Sequence, residues 1–251
     1  MDELKRVLTT LKEYGCSGIK ISFEDEGALL NEVTTMRYLT ADLGISLSIK
    51  IGGCEAKRDI VDSMNVYCDS IVAPMIESAF ALRKFTNSLK QYGYYGERGI
   101  NIETIDAYTK IDEISKDLSQ IDFVTVGRVD LVGSLGQTRD SVNSAHILEI
   151  VKNVFGKVRE HGKQCCLGGA VSVASKQFIK DLIDDKLIDR FETRYIICNA
   201  DETAIANFEN IIYLANIFEI QWLTFIKKRY NTLCMKDCDR IQMLENRVNG
   251  I

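Results

Sequence analysis

Hydrophobic and polar positions follow two periods along most of the chain, one typical of helices and one typical of strands. Apolar residues recur every three or four positions in segments that predict amphipathic helices, and short runs rich in isoleucine and valine between them predict strands. The predicted helices cover residues 2–14, 29–43, 55–64, 77–85, 105–118, 146–158 and 175–188. The predicted strands cover residues 18–24, 46–51, 70–76, 99–102, 123–127, 164–167 and 194–198. Strand and helix alternate at intervals of roughly 25 residues, which is the pattern of parallel βαβ units.

This alternation predicts one α/β domain, because α/β barrels often run to the length of this chain, 251 residues. Seven strands are found where a closed barrel needs eight, and the chain begins with a helix. We therefore expect the first strand to be missing or atypical. Pro74 is the single proline, and we expect it at the exit end of its strand because proline cannot donate a ladder hydrogen bond.

Residues 202–251 depart from the βα alternation and predict a helical C-terminal extension of the same domain. Its apolar residues lie on more than one face of a helix, so we expect them to be buried against another part of the protein or another subunit. They include Ile211, Ile212, Leu214, Ile217, Phe218, Ile220, Trp222, Leu223, Phe225 and Ile226. Two interpretations stay open: the extension packs on the outer ring of its own barrel, or it packs against a neighbouring subunit.

Two predicted strands end on carboxylates. The strand 123–127 ends in Gly127-Arg128, with Asp130 just beyond it, and the strand 99–102 is followed directly by Glu103. The carboxyl ends of parallel barrel strands are where catalytic groups commonly lie. Two acids at the ends of adjacent strands can share one metal ion, so Glu103 and Asp130 form the candidate site.

Composition narrows the class of partner. A formal charge of −5 and a pI near 5.3 argue against sequence-independent binding to nucleic acid. No leader-like segment and no run of about 18 apolar residues is present, so we expect neither export nor a membrane span but a cytoplasmic protein. Six of the eight cysteines, Cys16, Cys54, Cys68, Cys165, Cys166 and Cys198, have no framework spacing and are expected to act as small buried hydrophobes. Cys234 and Cys238, four residues apart, are only a weak metal signal because no second pair or histidine lies nearby.

Several strand ends together carry a family resemblance. Residues 72–78 (VAPMIES), 102–104 (IET) and 126–131 (VGRVDL), with Ser134-Leu135-Gly136, resemble the HpcH/HpaI aldolase and citrate lyase beta-subunit family. Phe23-Glu24-Asp25 is similar to the Leu-Glu-Asp of the citrate lyase side. The resemblance spans most of residues 18–200.

The resemblance implies a TIM (β/α)8-type barrel that assembles into homo-oligomers through its last helix. It also implies a magnesium or manganese ion held by Glu103 and Asp130. A hard cation that keeps several waters needs only one or two protein carboxylates, which leaves open positions for a 2-oxo acid. We expect the backbone of Gly127 and Val129, and a helix beginning near Ser134 and Leu135, to bind the substrate carboxylate. A tight turn at Gly133 and Gly136 is the simpler interpretation of the second segment.

The chain departs from the family pattern at three places. Lys50 stands where relatives usually carry an arginine that binds the substrate carboxylate, and it keeps the charge but not the bidentate fork. Lys50 is expected either to bind substrate or to pair with Glu24. Arg128, where relatives have a small residue, is expected to clamp a carboxylate if it points inward and to be a surface cation if it points outward. No histidine follows the strand 18–24, so the predicted general base is Glu24 or a water held by the metal.

These features predict a class II, metal-dependent carbon–carbon lyase or aldolase, or an enzyme of the reverse condensation. Its substrate is pyruvate or a related 2-oxo acid, with an aldehyde as the expected partner, and the reaction passes through an enolate stabilised by the cation. A citrate- or malyl-CoA-type lyase is one alternative, favoured by Phe23-Glu24-Asp25. A catalytically degenerate barrel that acts as a binding or assembly subunit is the other, favoured by the missing histidine and arginine.

Overall fold

Eight strands form a closed barrel in the computed structural model, which describes residues 1–249. The strands are β1 (Cys16–Ser22), β2 (Ser46–Lys50), β3 (Ser70–Ala73), β4 (Glu97–Ile102), β5 (Phe123–Gly127), β6 (Gln164–Gly168), β7 (Arg190–Glu192) and β8 (Ile196–Asn199), in that order around the barrel. The TIM-type barrel and the single chain of βα units predicted from the sequence are confirmed.

Helices surround the barrel and follow most strands. They are α1 (Asp2–Glu13), α2 (Leu30–Leu43), α3 (Lys57–Asn65), α4 (Ala79–Tyr92), α5 (Ile105–Thr109), α6 (Ile111–Ile114), α7 (Arg128–Ser134), α8 (Ala145–Glu160), α9 (Lys176–Asp184), α10 (Glu202–Ala206) and α11 (Phe208–Asn249). The predicted single helix 105–118 is instead two short helices followed by a 3-10 turn at Ser115–Gln120.

Most strands present apolar side chains outward to the helices and several polar side chains to the barrel interior. In β1, Ile19 and Ile21 belong to the shell between strands and helices, while Lys20 lies inside and pairs with Glu192 of β7. Side chains alternate between the two faces of a strand, so the run Lys20-Ile21-Ser22 puts every second, polar residue inside. The polar interior contrasts with the branched apolar filling usual in such barrels.

The last strand, not the first, is the atypical one. β1 is regular and pairs parallel with β2, from Gly18 beside Ser46 to Ser22 beside Lys50. β8 runs antiparallel to both β7 and β1. The predicted strand 194–198 is in fact the turn and second arm of a hairpin whose first arm is β7, and Thr193 N–H closes it by donating to Ile196 O at 2.9 Å. The expectation of an unusual first strand was therefore wrong.

The reversed strand determines the path of the C-terminal helix. β8 returns the chain to the N-terminal end of the barrel, and α11 then runs back along the outside, packed chiefly on α1. Phe208 contacts Phe191 with ring centroids 5.4 Å apart, and Phe218 contacts Tyr195 at 6.2 Å. The first third of α11, up to the buried Trp222, thus packs on its own barrel, which is one of the two interpretations left open by the sequence.

Two further sequence expectations have structural outcomes. All eight cysteines are free thiols, and Cys16, Cys68, Cys165, Cys166 and Cys198 are buried, as expected of small hydrophobes. Among residues 1–249, every helix is too short or too polar to cross a bilayer. A cytoplasmic location stays a prediction.

Candidate active site

Glu103 lies at the C-terminal mouth of the barrel, directly after β4, and only 2% of it is exposed. One carboxylate oxygen, Oε1, accepts a hydrogen bond from Met75 N–H at 3.0 Å, and Oε2 accepts one from Asn101 Nδ2 at 3.0 Å. Met75 has a φ of 50°, an uncommon left-handed conformation for a non-glycine residue. The carboxylate is therefore held in place from two neighbouring strand ends.

Gly127 makes room for this carboxylate. A Cβ atom at Gly127 would lie 2.5 Å from Glu103 Oε2, a distance that real carbon and oxygen atoms do not adopt. A glycine within a strand commonly marks a close approach of this kind. The β5 end of the mouth is shaped around Glu103.

Burial raises the pKa of Glu103, and the negative charge of Asp130 adds to the effect, while Lys50 and the hydrogen bonds from Met75 and Asn101 oppose it. Asp130 lies in the first turn of α7 and is exposed. The charge of Asp130 thus reaches Glu103, and the sharing of one metal ion by the two carboxylates stays a prediction. A buried carboxylate that is costly to ionise alone is stabilised by a nearby cation.

Lys50, the last residue of β2, is such a cation. It is 4% exposed, and its Nζ lies 2.8 Å from Glu24 Oε2 and 3.0 Å from Asp25 Oδ2. Burial alone lowers the pKa of Lys50, but the charges of Glu103, Glu24 and Asp25 outweigh it and the pKa is raised. Lys50 thus pairs with Glu24, one of the two expectations for it, and it also lies close enough to Glu103 for each charge to affect the pKa of the other group.

Arg128 lies away from any position in which it can bind substrate. It is fully buried, and its guanidinium is 4.8 Å from the ring of Phe178. All five of its N–H donors are used by protein acceptors, which are the carbonyls of Val142, Gly168 and Gly169 and the side chains of Asn143 and Ser175. Arg128 is therefore neither the predicted carboxylate clamp nor a surface cation. Its hydrogen bonds connect the loop after β5 with the loop after β6.

The expected helix start near Ser134 and Leu135 is instead a helix end. α7 begins at Arg128 and ends at Ser134, and Leu135 N–H donates back to Leu131 O and Val132 O at 3.2 Å. These residues offer no free amides to a carboxylate, so this part of the prediction is wrong. The helix begins earlier because Asp130, in its first turn, suits the positive end of the helix dipole.

The backbone of Gly127 and Val129 stays a predicted substrate contact. The amide nitrogens of Arg128 and Val129 face Gly169, where a Cβ atom would lie 2.4 Å and 2.7 Å from them. The loop after β6 therefore approaches these amides closely only because residue 169 is a glycine.

Three polar residues of the barrel interior near this mouth were missed by sequence reasoning. Asn101 positions Glu103, and its own Oδ1 is buried with no hydrogen-bond partner within the described residues. Lys20 and Glu192 form an ion pair across the interior. Their signal was the alternation of polar and apolar residues in Lys20-Ile21-Ser22 and Arg190-Phe191-Glu192, which places the polar members on one face.

The residues at the mouth fit a hard divalent cation. Three carboxylates, those of Glu24, Asp25 and Glu103, act on the single ammonium of Lys50, so this group carries excess negative charge. Within residues 1–249, no group of three or more histidine, cysteine, aspartate or glutamate side chains is arranged around one metal position. Glu103 and Asp130 alone suffice for an ion that keeps its waters, since such ions are held by one or two carboxylates.

A cleft of about 530 Å³ lies beside the mouth rather than over it. The β1–α2 loop, the β7–β8 turn and α11 form its walls, and Asp25, Glu26, Arg194, Trp222 and Tyr230 line it. Because Asp25 also pairs with Lys50, this cleft borders the candidate site through the acidic loop.

Comparison with solved structures shows the fold. The HpcH/HpaI aldolase from Desulfitobacterium hafniense superposes with a TM-score of 0.63 at 13% identity, covering 77% of this chain and 82% of that one. The citrate synthase SbnG gives 0.61 at 14% identity, covering 75% and 81%. An HpcH/HpaI aldolase/citrate lyase family protein from Burkholderia cenocepacia gives 0.60 at 12% identity, covering 70% and 80%.

No protein-family model matches the sequence, and no curated protein matches it. The likeness therefore lies in the barrel architecture, and the chemistry has to be argued from the residues at the mouth.

Proposed function

We propose that the protein is a divalent-metal-dependent carbon–carbon lyase or aldolase, or catalyses the reverse condensation, acting on pyruvate or a related 2-oxo acid. The observation that carries the proposal is the buried Glu103 carboxylate, fixed by Met75 and Asn101 and electrostatically coupled to Asp130. The resemblance of the strand-end motifs, and the aldolases and citrate synthase among the solved structures of similar fold, support the same class.

Glu103 and Asp130 would hold magnesium or manganese. Such an ion, when bound, polarises the ketone of a 2-oxo acid and stabilises negative charge on its oxygen. The buried ammonium of Lys50 lies beside this site and supplies positive charge for the substrate carboxylate. An aldehyde is the proposed second product or substrate.

Lys50 is the better candidate for the substrate carboxylate than Arg128, since every N–H of Arg128 already has a protein acceptor. To bind substrate, Lys50 exchanges one of its two carboxylate partners in the loop for the ligand. Glu24 is then released from its ion pair at 2.8 Å, so substrate binding and the β1–α2 loop are coupled.

The experiment that tests the proposal is exchange of the methyl protons of pyruvate with deuterium, followed by NMR in the presence of Mg²⁺. We expect the wild-type protein to catalyse exchange and Glu103→Gln to reduce it by at least about 100-fold, because the charge that holds the ion is lost. Lys50→Met is expected to raise KM by about 10-fold, the effect of losing one charge-assisted contact. Lack of exchange in the wild-type protein with any divalent ion would falsify the proposal and favour a binding or assembly subunit.

The citrate- or malyl-CoA-type alternative rests on Glu24 and Asp25, which both bind Lys50. Retention of the protein on immobilised CoA, with release by free CoA, would support this alternative. Exchange of pyruvate protons without CoA retention favours the aldolase.

We also propose a homo-oligomer assembled through the end of α11. Beyond Trp222 the helix carries exposed apolar residues, among them Leu233, Ile241, Leu244 and Val248, which are 42–71% exposed. Ile241, Leu244 and Val248 are spaced by three and four residues, the spacing of a helix face that pairs with another helix.

A further inference from the structure

One row of four residues crosses the mouth of the barrel on consecutive strands. Gly127 of β5 is paired with Gly168 of β6. The pairing of Ile102 with Val126 puts Glu103 beside Gly127 at the next position, and the pairing of Leu167 with Phe191 puts Glu192 beside Gly168. The row therefore reads glutamate, glycine, glycine, glutamate.

The carboxylate of each glutamate lies close to the glycine on the neighbouring strand. A Cβ atom at Gly127 would lie 2.5 Å from Glu103 Oε2, and a Cβ atom at Gly168 would lie 2.9 Å from Glu192 Oε1. Because adjacent strands are about 4.8 Å apart, the two carboxylate oxygens lie within about 10 Å of each other. The two glycines therefore let both carboxylates approach the same stretch of the barrel mouth.

Glu192 differs from the other acids at this mouth in its partners. Glu24 and Asp25 share the ammonium of Lys50, and Glu103 accepts from Met75 and Asn101. Glu192 pairs with Lys20 through Oε1, and the one donor to its Oε2 among residues 1–249 is the thiol of Cys166, at 3.8 Å. A thiol is a weak donor, so this oxygen is only weakly hydrogen-bonded.

Several charged groups surround Glu192. Lys20 reaches it from β1, Arg190 lies two residues earlier on β7, and Lys50 of β2 and Glu26 of the β1–α2 loop act on Lys20. Glu192 is 7% exposed, so water screens these charges little. A buried carboxylate that an ion pair holds in place can act as a general base.

We propose that Glu192, positioned by Lys20, is the proton-transfer residue of this site. This inference rests on the proposed function. It assigns the general base to Glu192 instead of Glu24, since no histidine follows the strand 18–24. Glu192 takes a proton from C3 of the 2-oxo acid, the electron pair of that C–H bond forms the C2–C3 double bond, and the ketone π pair moves onto the oxygen. Return of the proton to C3 reverses each of these movements.

The test compares Glu192→Gln with Glu97→Gln in the pyruvate exchange assay. Glu97 is a matched control, because it is also on the inner face of the barrel and pairs with an arginine, Arg190, at 3.4 Å, but at the opposite end of the strands. We expect Glu192→Gln to lower kcat for exchange by 100-fold or more, with KM within threefold of wild type. Glu97→Gln is expected to stay within twofold.

Metal binding separates proton transfer from loss of the site. Mn²⁺ affinity, measured by electron paramagnetic resonance without substrate, is expected to be unchanged in Glu192→Gln and abolished in Glu103→Gln. If Glu192→Gln retains exchange within threefold, or loses exchange together with Mn²⁺ binding, the proton-transfer role is overturned.

Two more variants keep the test decisive if Glu192→Gln does not fold. Glu192→Asp retains a carboxylate and is expected to recover part of the exchange rate. Lys20→Met removes the ammonium that positions Glu192, so we expect kcat for exchange to fall by about 10-fold while KM and Mn²⁺ affinity stay within threefold of wild type. A Lys20→Met protein with the kcat of wild type contradicts the role given to Lys20.

The two proposals fail in different ways. If the wild-type protein does not catalyse exchange of the pyruvate protons, both the proposed function and the role of Glu192 are wrong. A wild-type protein with exchange that depends on Glu103 but not on Glu192 leaves the proposed function standing and removes only this inference.

Discussion

At the scale of single residues, Glu26 makes the stability of the protein depend on pH. Burial raises the pKa of Glu26 to about 7, against the partly compensating charges of Arg194 and Lys20. Between pH 4.5 and 7 the unfolded chain has released this proton while the folded chain keeps it. The contribution of Glu26 therefore lowers stability as pH rises through this window, by about 3 kcal/mol at most.

Replacing Glu26 with glutamine removes this titration but keeps an oxygen for Ser22 N–H. We expect Glu26→Gln to raise the free energy of unfolding at pH 8 by about 1–3 kcal/mol and to change it little at pH 4.5. Urea unfolding at the two pH values measures the difference. The exposed Glu149, replaced in the same way, is the control, and equal shifts in both variants would contradict the assignment.

Arg128 is the second residue with a large predicted effect, and the effect is on stability. Lysine has a single ammonium where arginine has five N–H donors in a fork, so Arg128→Lys leaves several buried acceptors without a partner. We expect the free energy of unfolding to fall by about 3 kcal/mol or more. Arg139 is exposed, and Arg139→Lys should change it by less than about 0.5 kcal/mol. Similar unfolding midpoints for the two variants would show that the buried network is unimportant.

At the scale of elements, α11 has two parts with different roles. Its first part is buried on the barrel through Phe208, Phe218 and Trp222. The last contact with the barrel that we find in the described part of the chain is the hydrogen bond from the Tyr230 hydroxyl to Glu32. From Leu233 onward most of its large apolar side chains are exposed. Such a surface is unusual unless another molecule packs against it.

Ending the chain at Tyr230 is expected to leave the barrel folded and to lower the mass of the particle in solution to that of a monomer. Light scattering after gel filtration gives the mass, and circular dichroism gives the helix and strand content. As a point variant, Leu244→Glu should have the same effect on mass, whereas Gln242→Glu on another face should not. An unchanged mass after truncation would mean that subunits associate elsewhere or not at all.

The β7–β8 hairpin is the second element with a consequence for function. Because β8 runs antiparallel, the turn at residues 193–195 stands at the mouth, next to the β1–α2 loop, as the ion pair of Arg194 with Glu26 at 3.3 Å shows. A hairpin in this place also sets Glu192 at the end of a short strand, where its side chain lies against Gly168. The reversed strand thus shapes both the cleft and the proposed base.

At the scale of the whole molecule, metal binding should be visible as stability. A ligand that binds only the folded state at 100 times its Kd stabilises it by about 2.7 kcal/mol, and a domain of this size gains roughly 2–4 °C in Tm for each kcal/mol. We expect saturating Mn²⁺ to raise Tm by about 5–10 °C. The rise should be absent in Glu103→Gln and much reduced in Asp130→Asn, measured by differential scanning calorimetry. An equal rise in all three proteins would place the ion elsewhere.

The sequence by itself determined the barrel and the acids that follow β4 and β5, while their sharing of a metal ion stays a prediction. Helical and strand periods report local burial, so the βα alternation was readable in one dimension, and strand-end carboxylates such as Glu103 and Asp130 were found because parallel strands all exit at one mouth. The strand ending at Lys50 and the exit position of Pro74 follow from the same local rules.

Only the tertiary structure decided the rest. The direction of β8, the burial of Arg128 and the approach of Glu192 to Gly168 depend on contacts between residues far apart in the chain, and a local pattern has no information about these. A three-residue strand such as Arg190–Glu192 is also too short for a period to be recognised. The sequence thus determined which acids reach the mouth at β4 and β5, and the folded barrel decided which other charges meet them there.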